Sequence, residues 1–183
     1  MKRIFAVVLF IISTLSVSVV YGQQDDEAAA RIRTREQLEA VLEKVGTEMS
    51  VAFKQNQKRP FEYVGVLKAG LVNTESFEIV ISVTESDTIG FRIYPHYNKG
   101  YINLDKVKDR AGLMRLLLRL SDRAFLFWGA DESGDIFTGY TFTLESGFPQ
   151  EAIRIVLRSI VNSDKFVGEM RPFIDGTSPG KVE

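Results

Sequence analysis

The chain is 183 residues long, 45% apolar and 11% aromatic, enough to bury a sizeable core in one domain, and its formal charge is -1. That near balance, with no basic cluster, argues against nucleic acid as a partner, because counterion-release binding needs gathered Lys and Arg. With no cysteine, disulfides, thiolate nucleophiles, cysteine-based zinc sites and lipid attachment at cysteine are all ruled out.

At the N-terminus, Lys2-Arg3 precede an unbroken apolar run from Ile4 to Ile12 that thins into serine-punctuated residues up to Val20. This is the layout of a signal peptide, and Val20-Tyr21-Gly22 supplies a permitted cleavage site before Gln23. Export to the periplasm or beyond is therefore expected. The competing reading is an uncleaved anchor, since Ile4 to Val20 only just reaches membrane-spanning length; contact with a membrane is expected through this segment alone. Loss of Lys2 and Arg3 makes the mature chain two charges more negative. Residues 23–33 read as a polar N-terminal lead, 34–170 as a single domain and 171–183 as a C-terminal tail.

Within the domain, Thr34-Arg35-Glu36-Gln37 has the form of a capping box, so a helix is expected to open there. Leu38, Val41, Leu42, Val45, Met49 and Phe53 give it one apolar stripe, carried to about Lys54 across Gly46. The segment from Gln55 to Pro60 breaks the helix. From Phe61 the period becomes two, with Phe61, Tyr63 and Leu67 opposed to Glu62, Val64, Val66 and Lys68. Phe77, Ile79, Ile81 and Val83 mark a second strand. Ile89, Phe91 and Ile93 mark a third, which Pro95 is expected to stop. These three form a meander.

Asp105 or Asp109 then caps a helix ending near Ser121. Leu113, Leu116, Leu117 and Leu120 share its core face. Met114 and Leu118 widen the apolar arc beyond what one sheet can cover, leaving Arg115 and Arg119 as a narrow polar strip. Residues 124–128 are short and aromatic, as expected of a strand buried on both faces. A turn at Asp131–Asp135 leads into a second strand marked by Ile136, Thr138, Tyr140, Phe142 and Leu144, making a hairpin. Pro149 opens a last helix with Ile153, Val156, Leu157 and Ile160 inward; a further turn follows from Lys165 to Met170. The order is helix, three-stranded antiparallel meander, helix, two-stranded hairpin, helix. With no parallel βαβ rhythm, the class is α+β.

That order, with Tyr101-Ile102-Asn103-Leu104, the wide apolar helix, the hairpin from Phe125 to Leu144 and the helix after Pro149, resembles the YbjN-like proteins (bacterial sensory transduction regulators), which share the type III secretion chaperone-like fold. The resemblance spans roughly Thr34 to Met170. It implies pairing through the middle helix, hence a homodimer with Met114, Leu118, Arg115 and Arg119 on the partner face, and surfaces that hold another polypeptide.

No catalytic set emerges. His96 is the only histidine and no Gly-x-Ser-x-Gly elbow accompanies it, so it reads as a loop residue between tyrosines. Asp131–Asp135 lacks the spacing and distal Glu of a calcium loop. Glu85 and Asp87 read as solvated turn acids. Phe125, Phe127, Trp128, Tyr140 and Phe142 read as core, with a ligand pocket as the alternative. The expectation is an exported, non-enzymatic protein-interaction or chaperone-like module without metal or cofactor, meeting a polypeptide partner in the cell envelope. The alternative is a periplasmic binder of a small apolar ligand.

Overall fold

The computed structural model describes the backbone of residues 2–124 and 126–177 and the side chains of 26–124 and 126–177. The side chains of the expected leader, Phe125 and the end of the expected tail lie outside these. The fold is α+β. Helix α1 (Lys2–Met49) leads into strands β1 (Lys54–Asn56), β2 (Arg59–Leu67), β3 (Ser76–Val83), β4 (Thr88–Tyr97) and β5 (Gly100–Tyr101). Helix α2 (Arg110–Arg123), strands β6 (Phe127–Ala130) and β7 (Ile136–Thr143), helix α3 (Gln150–Ser159), a 3-10 turn (Ile160–Ser163) and helix α4 (Asp164–Asp175) complete it.

The strands make one antiparallel sheet in the order β1-β2-β3-β4-β7-β6, with β5 hung on β4. The second hairpin thus joins the meander through β4 and β7, from Thr88 opposite Thr143 to Ile93 opposite Thr138. Phe77, Ile79, Ile81, Ile89, Phe91 and Ile93 form a fully buried layer in one cluster with Leu38 and Leu42 of α1, Leu113 and Leu120 of α2, Ile153 of α3 and Val167 and Met170 of α4. Period-two and helical stripes meet there, so the helices cover a single face.

Several boundaries differ from the sequence expectation, each for a local reason. Helix α1 passes straight through Thr34, so no capping box forms there. Residues 23–33, with no Gly or Pro and three successive alanines, keep the helix going. Residues 23–33 are therefore helix rather than a lead, and Arg31 is tied to the sheet, its guanidinium donating to the Val83 carbonyl and lying 3.9 Å from the Phe61 ring centroid. At the other end α1 stops at Met49, where Ser50 adopts φ 56° and Val51 N–H donates to Gly46 at 2.8 Å, the longer bond of a Schellman closure. Phe53 leaves the helical stripe and folds over Gly46 and Gly65, where a Cβ on either glycine would meet its ring.

Strand β4 runs through Pro95 to Tyr97. Its ladder with β7 ends at Ile93, and beyond that point the proline stands opposite Phe77 of β3. A missing donor is tolerated where a neighbour is absent. Strand β6 is an edge rather than a strand buried on both faces: Trp128 turns inward and Phe127 is 45% exposed. Helix α4 continues through Arg171 and Pro172 to Asp175, where a tail was expected. Its last carbonyls are occupied, Phe173 accepting from Asp109 N–H at 2.9 Å and Ile174 from Lys108 N–H at 3.2 Å. The two short strands β1 and β5 lack any apolar alternation of their own.

Asp164, buried at the start of α4, locks the β2–β3 connection. Its carboxylate accepts from the backbone N–H groups of Val72, Asn73 and Thr74 at 2.9 to 3.0 Å and from the Asn73 amide. Asp164→Ala would orphan three donors and should destabilise the fold by about 3 kcal/mol in urea titration. Amide exchange should quicken first at residues 72–74.

Candidate functional site

The face of the sheet opposite the helices carries no covering element among the described residues. Register places its side chains in rows across the strands. One row runs Val64, Val80, Arg92, Gly139, Phe127; the next is Glu62, Ser82, Gly90, Thr141; a third is Val66, Glu78, Tyr94. The twist of the sheet turns this surface into a shallow trough of about 820 Å³.

One flank of the trough is a chain of rings in contact. Phe127 stands edge-on to Phe137 at 5.8 Å, Phe137 lies 5.7 Å from Tyr94, Tyr94 is edge-on to Tyr101 at 5.6 Å, and Tyr101 is edge-on to His96 at 4.5 Å. The Arg92 guanidinium sits 5.0 Å from the Phe137 ring centroid, a cation–π contact. Tyr101 reaches from β5 across β4, and its hydroxyl donates to Glu78 on β3 at 2.8 Å. Val66 and Tyr101, each 40% exposed, and Phe127, 45% exposed, give this face apolar surface open to solvent. Exposed rings of this kind are enriched at protein interfaces.

The floor is small. Phe127 fills the space above Gly139, so that glycine is required by a close approach. Gly90 is different: a Cβ there would meet nothing within 4 Å, and its φ is not positive. No contact among the described residues demands glycine at this position of β4, where it costs about 0.5 to 1 kcal/mol relative to alanine.

Charge is divided between opposite corners. Lys54, Lys58 and Arg59 gather at the β1–β2 hairpin, and Asp131, Glu132 and Asp135 at the β6–β7 turn. The acidic turn is built on its own hydrogen bonds: Asp131 accepts from Ser133 and Asp135 N–H at 2.9 and 3.0 Å, and Asn103 donates to Asp135 at 2.8 Å. Among the described residues no group of His, Asp and Glu side chains could hold a metal ion, and no helix is long and apolar enough to cross a membrane.

The four residues singled out from sequence lie elsewhere, on the outer side of α2. Leu113, Leu116, Leu117 and Leu120 are buried, whereas Met114 is 49% and Leu118 72% exposed, with Arg115 and Arg119 exposed beside them. Of the described aromatics considered for a pocket, Trp128 and Phe142 are buried on the helical side and Phe127 alone reaches the trough. His96 closes the string of rings, with Ser76 opposite it on β3 and its Nε2 buried without a partner. Tyr94, Arg92 and Gly90 were missed because each occupies the polar half of the period-two pattern of β4, and Tyr101 because its two-residue strand has no alternation of its own. The signal available was that this half is itself rich in rings and small residues.

No protein-family model, curated protein or solved structure matches the chain.

Burial, reinforced by the Glu78 carboxylate, pushes the Tyr101 hydroxyl from 10 up to about 12. Burial and then Glu39 do the same to Tyr63, also to about 12. The folded state favours the neutral phenols. Their contribution is therefore intact below pH 10 and lost as pH climbs toward 12. Ultraviolet titration should show one fewer late-ionising tyrosine in Tyr101→Phe than in the wild type, and the variant's stability should fall less steeply across that range.

Proposed function

We propose that this protein is an exported, non-enzymatic interaction module of chaperone-like type, kin to the YbjN-like proteins, that holds a polypeptide against its open sheet face and acts as a dimer. The observation that carries the reading is the uncovered trough, with its ring-lined flank and a floor lowered at Gly90 where no contact among the described residues asks for glycine. A central strand keeps such a glycine at small cost when another backbone must come close. The face of α2 formed by Met114, Leu118, Arg115 and Arg119 is the second surface available to a partner. It is smaller, with two apolar side chains against the roughly 800 Å² per partner of a standard interface.

A photocrosslinking side chain at Ser82, in the trough, should give polypeptide adducts in the native cell envelope. The same group at Lys165, on the helical layer, should not. Adducts at neither Ser82 nor Leu118 would refute the interaction reading, and a small apolar molecule retained in native mass spectrometry would favour the ligand-binding alternative. Export through a cleaved leader is tested by N-terminal sequencing of the mature protein, which should begin at Gln23; retention of Met1 would mean an anchored or unexported chain.

A further inference from the structure

We infer that the occupant of the open sheet face is a second copy of this chain, packed sheet against sheet about a twofold axis. The inference rests on reading that face as a protein-interaction surface, and it names the partner. Three features of the face point to self-association rather than to a partner of one charge.

The first is its bipolar charge. The basic β1–β2 hairpin, with Lys58 and Arg59, lies at one corner of the sheet, and the acidic β6–β7 turn, with Asp131 and Glu132, at the diagonally opposite corner. A uniformly basic or acidic partner would be repelled by one end. A copy of the same face, turned about the other diagonal, sets each basic corner on an acidic corner twice over, which is the self-complementarity an isologous contact requires. That operation crosses the two sets of strands near a right angle, an established way for sheets to pack.

The second is Arg92. It stands in the middle of the face, exposed, and enters no ion pair among the described residues. Its guanidinium leans toward Phe137, and the same rotation carries it toward Glu62 of the other copy, where it would join the Arg59 that already pairs with that carboxylate at 3.2 Å.

The third is the floor. Sheets pack about 10 Å apart only where side chains leave room, and Ser82, Gly90 and Thr141 form a row of small residues across the centre. A face five strand spacings wide and about six residues long covers on the order of 500 Å² in projection before side-chain relief is added. That approaches the standard interface size of about 800 Å² per partner; the α2 patch does not.

Sedimentation velocity of the purified protein across micromolar concentrations tests the inference. The wild type should dimerise. Gly90→Val should fold with an unchanged or higher melting temperature yet weaken self-association by about ten- to a hundredfold, because the added bulk meets only the other copy. Lys58→Glu and Glu132→Lys should each weaken it alone, since both place like charges at both corners. An equimolar mixture of the two should dimerise again, because every corner of the mixed dimer is then oppositely charged. A strictly monomeric wild type, a dimer indifferent to Gly90→Val, or a dimer abolished by Leu118→Asp but not by the sheet variants would each overturn the inference. In any of these cases polypeptide adducts at Ser82 would still stand for the interaction reading, which falls separately only if neither Ser82 nor Leu118 gives adducts.

Discussion

Three consecutive backbone N–H groups, those of Val72, Asn73 and Thr74, converge on the carboxylate of Asp164, and the arrangement of the helical layer over the sheet depends on that contact. A buried carboxylate is stable only when hydrogen bonds replace its water, and here the donors come from a connection that would otherwise leave them unmatched. One turn further along α4, Gly168 leaves room for the Asn73 side chain. A further turn on, the Arg171 guanidinium donates to the Asn73 carbonyl at 3.1 Å while lying over the Tyr97 ring. Asp164, Gly168 and Arg171 form one stripe of the helix at spacings of four and three. The stripe grips the β2–β3 connection by both its donors and its acceptor, so the last helix cannot shift without breaking the bonds that order the sheet's upper end.

Because every helix is recruited to the same side, the asymmetry of the sheet follows from packing rather than from any deficit of apolar residues. Helices α1 and α3 sit together, joined by Glu48 with Arg158 and Arg154, while α2 and α4 sit together, joined by Arg123 with Glu169 at 2.9 Å. The Arg158 hydrogen bond holds the Glu48 carboxyl below its ordinary range. These exposed pairs contribute little individually and act mainly as register marks between helices whose apolar stripes already agree. The helical layer is thus complete in itself, and the opposite surface is left uncovered among the described residues.

Sequence patterning carried the class, the element order and nearly all of the core, because Leu, Ile, Val and Phe at periods of two and 3.6 report burial directly. The cap of α2 was legible as one of two aspartates, Asp105 or Asp109, and it is the Asp109 carboxylate that accepts from Gly112 N–H at 2.8 Å. The pattern failed where long-range contacts override local signals. Thr34 has the chemistry of a cap but lies inside a helix that Arg31 fastens to the sheet. Arg171-Pro172 has the chemistry of a stop but lies inside a helix whose end is held by the approach to α2. The trough was illegible for a different reason: alternation shows which residues face away from a core, but the register of β4 on β7, which brings Arg92 beside Gly139, comes from non-local pairing.

The two edges of the sheet decide how far any assembly can grow. At β6 the side chain of Ser121 accepts the Trp128 N–H at 2.8 Å, so α2 occupies a donor that an incoming strand would need. At β1 the edge is three residues long, carries Lys54 and slips register between Gln55 and Asn56. Both are the means by which natural sheets refuse further strands. With its rims closed in this way, the sheet offers no edge from which to polymerise, and the contact proposed through its broad surface would end in a discrete particle of fixed stoichiometry rather than a fibril.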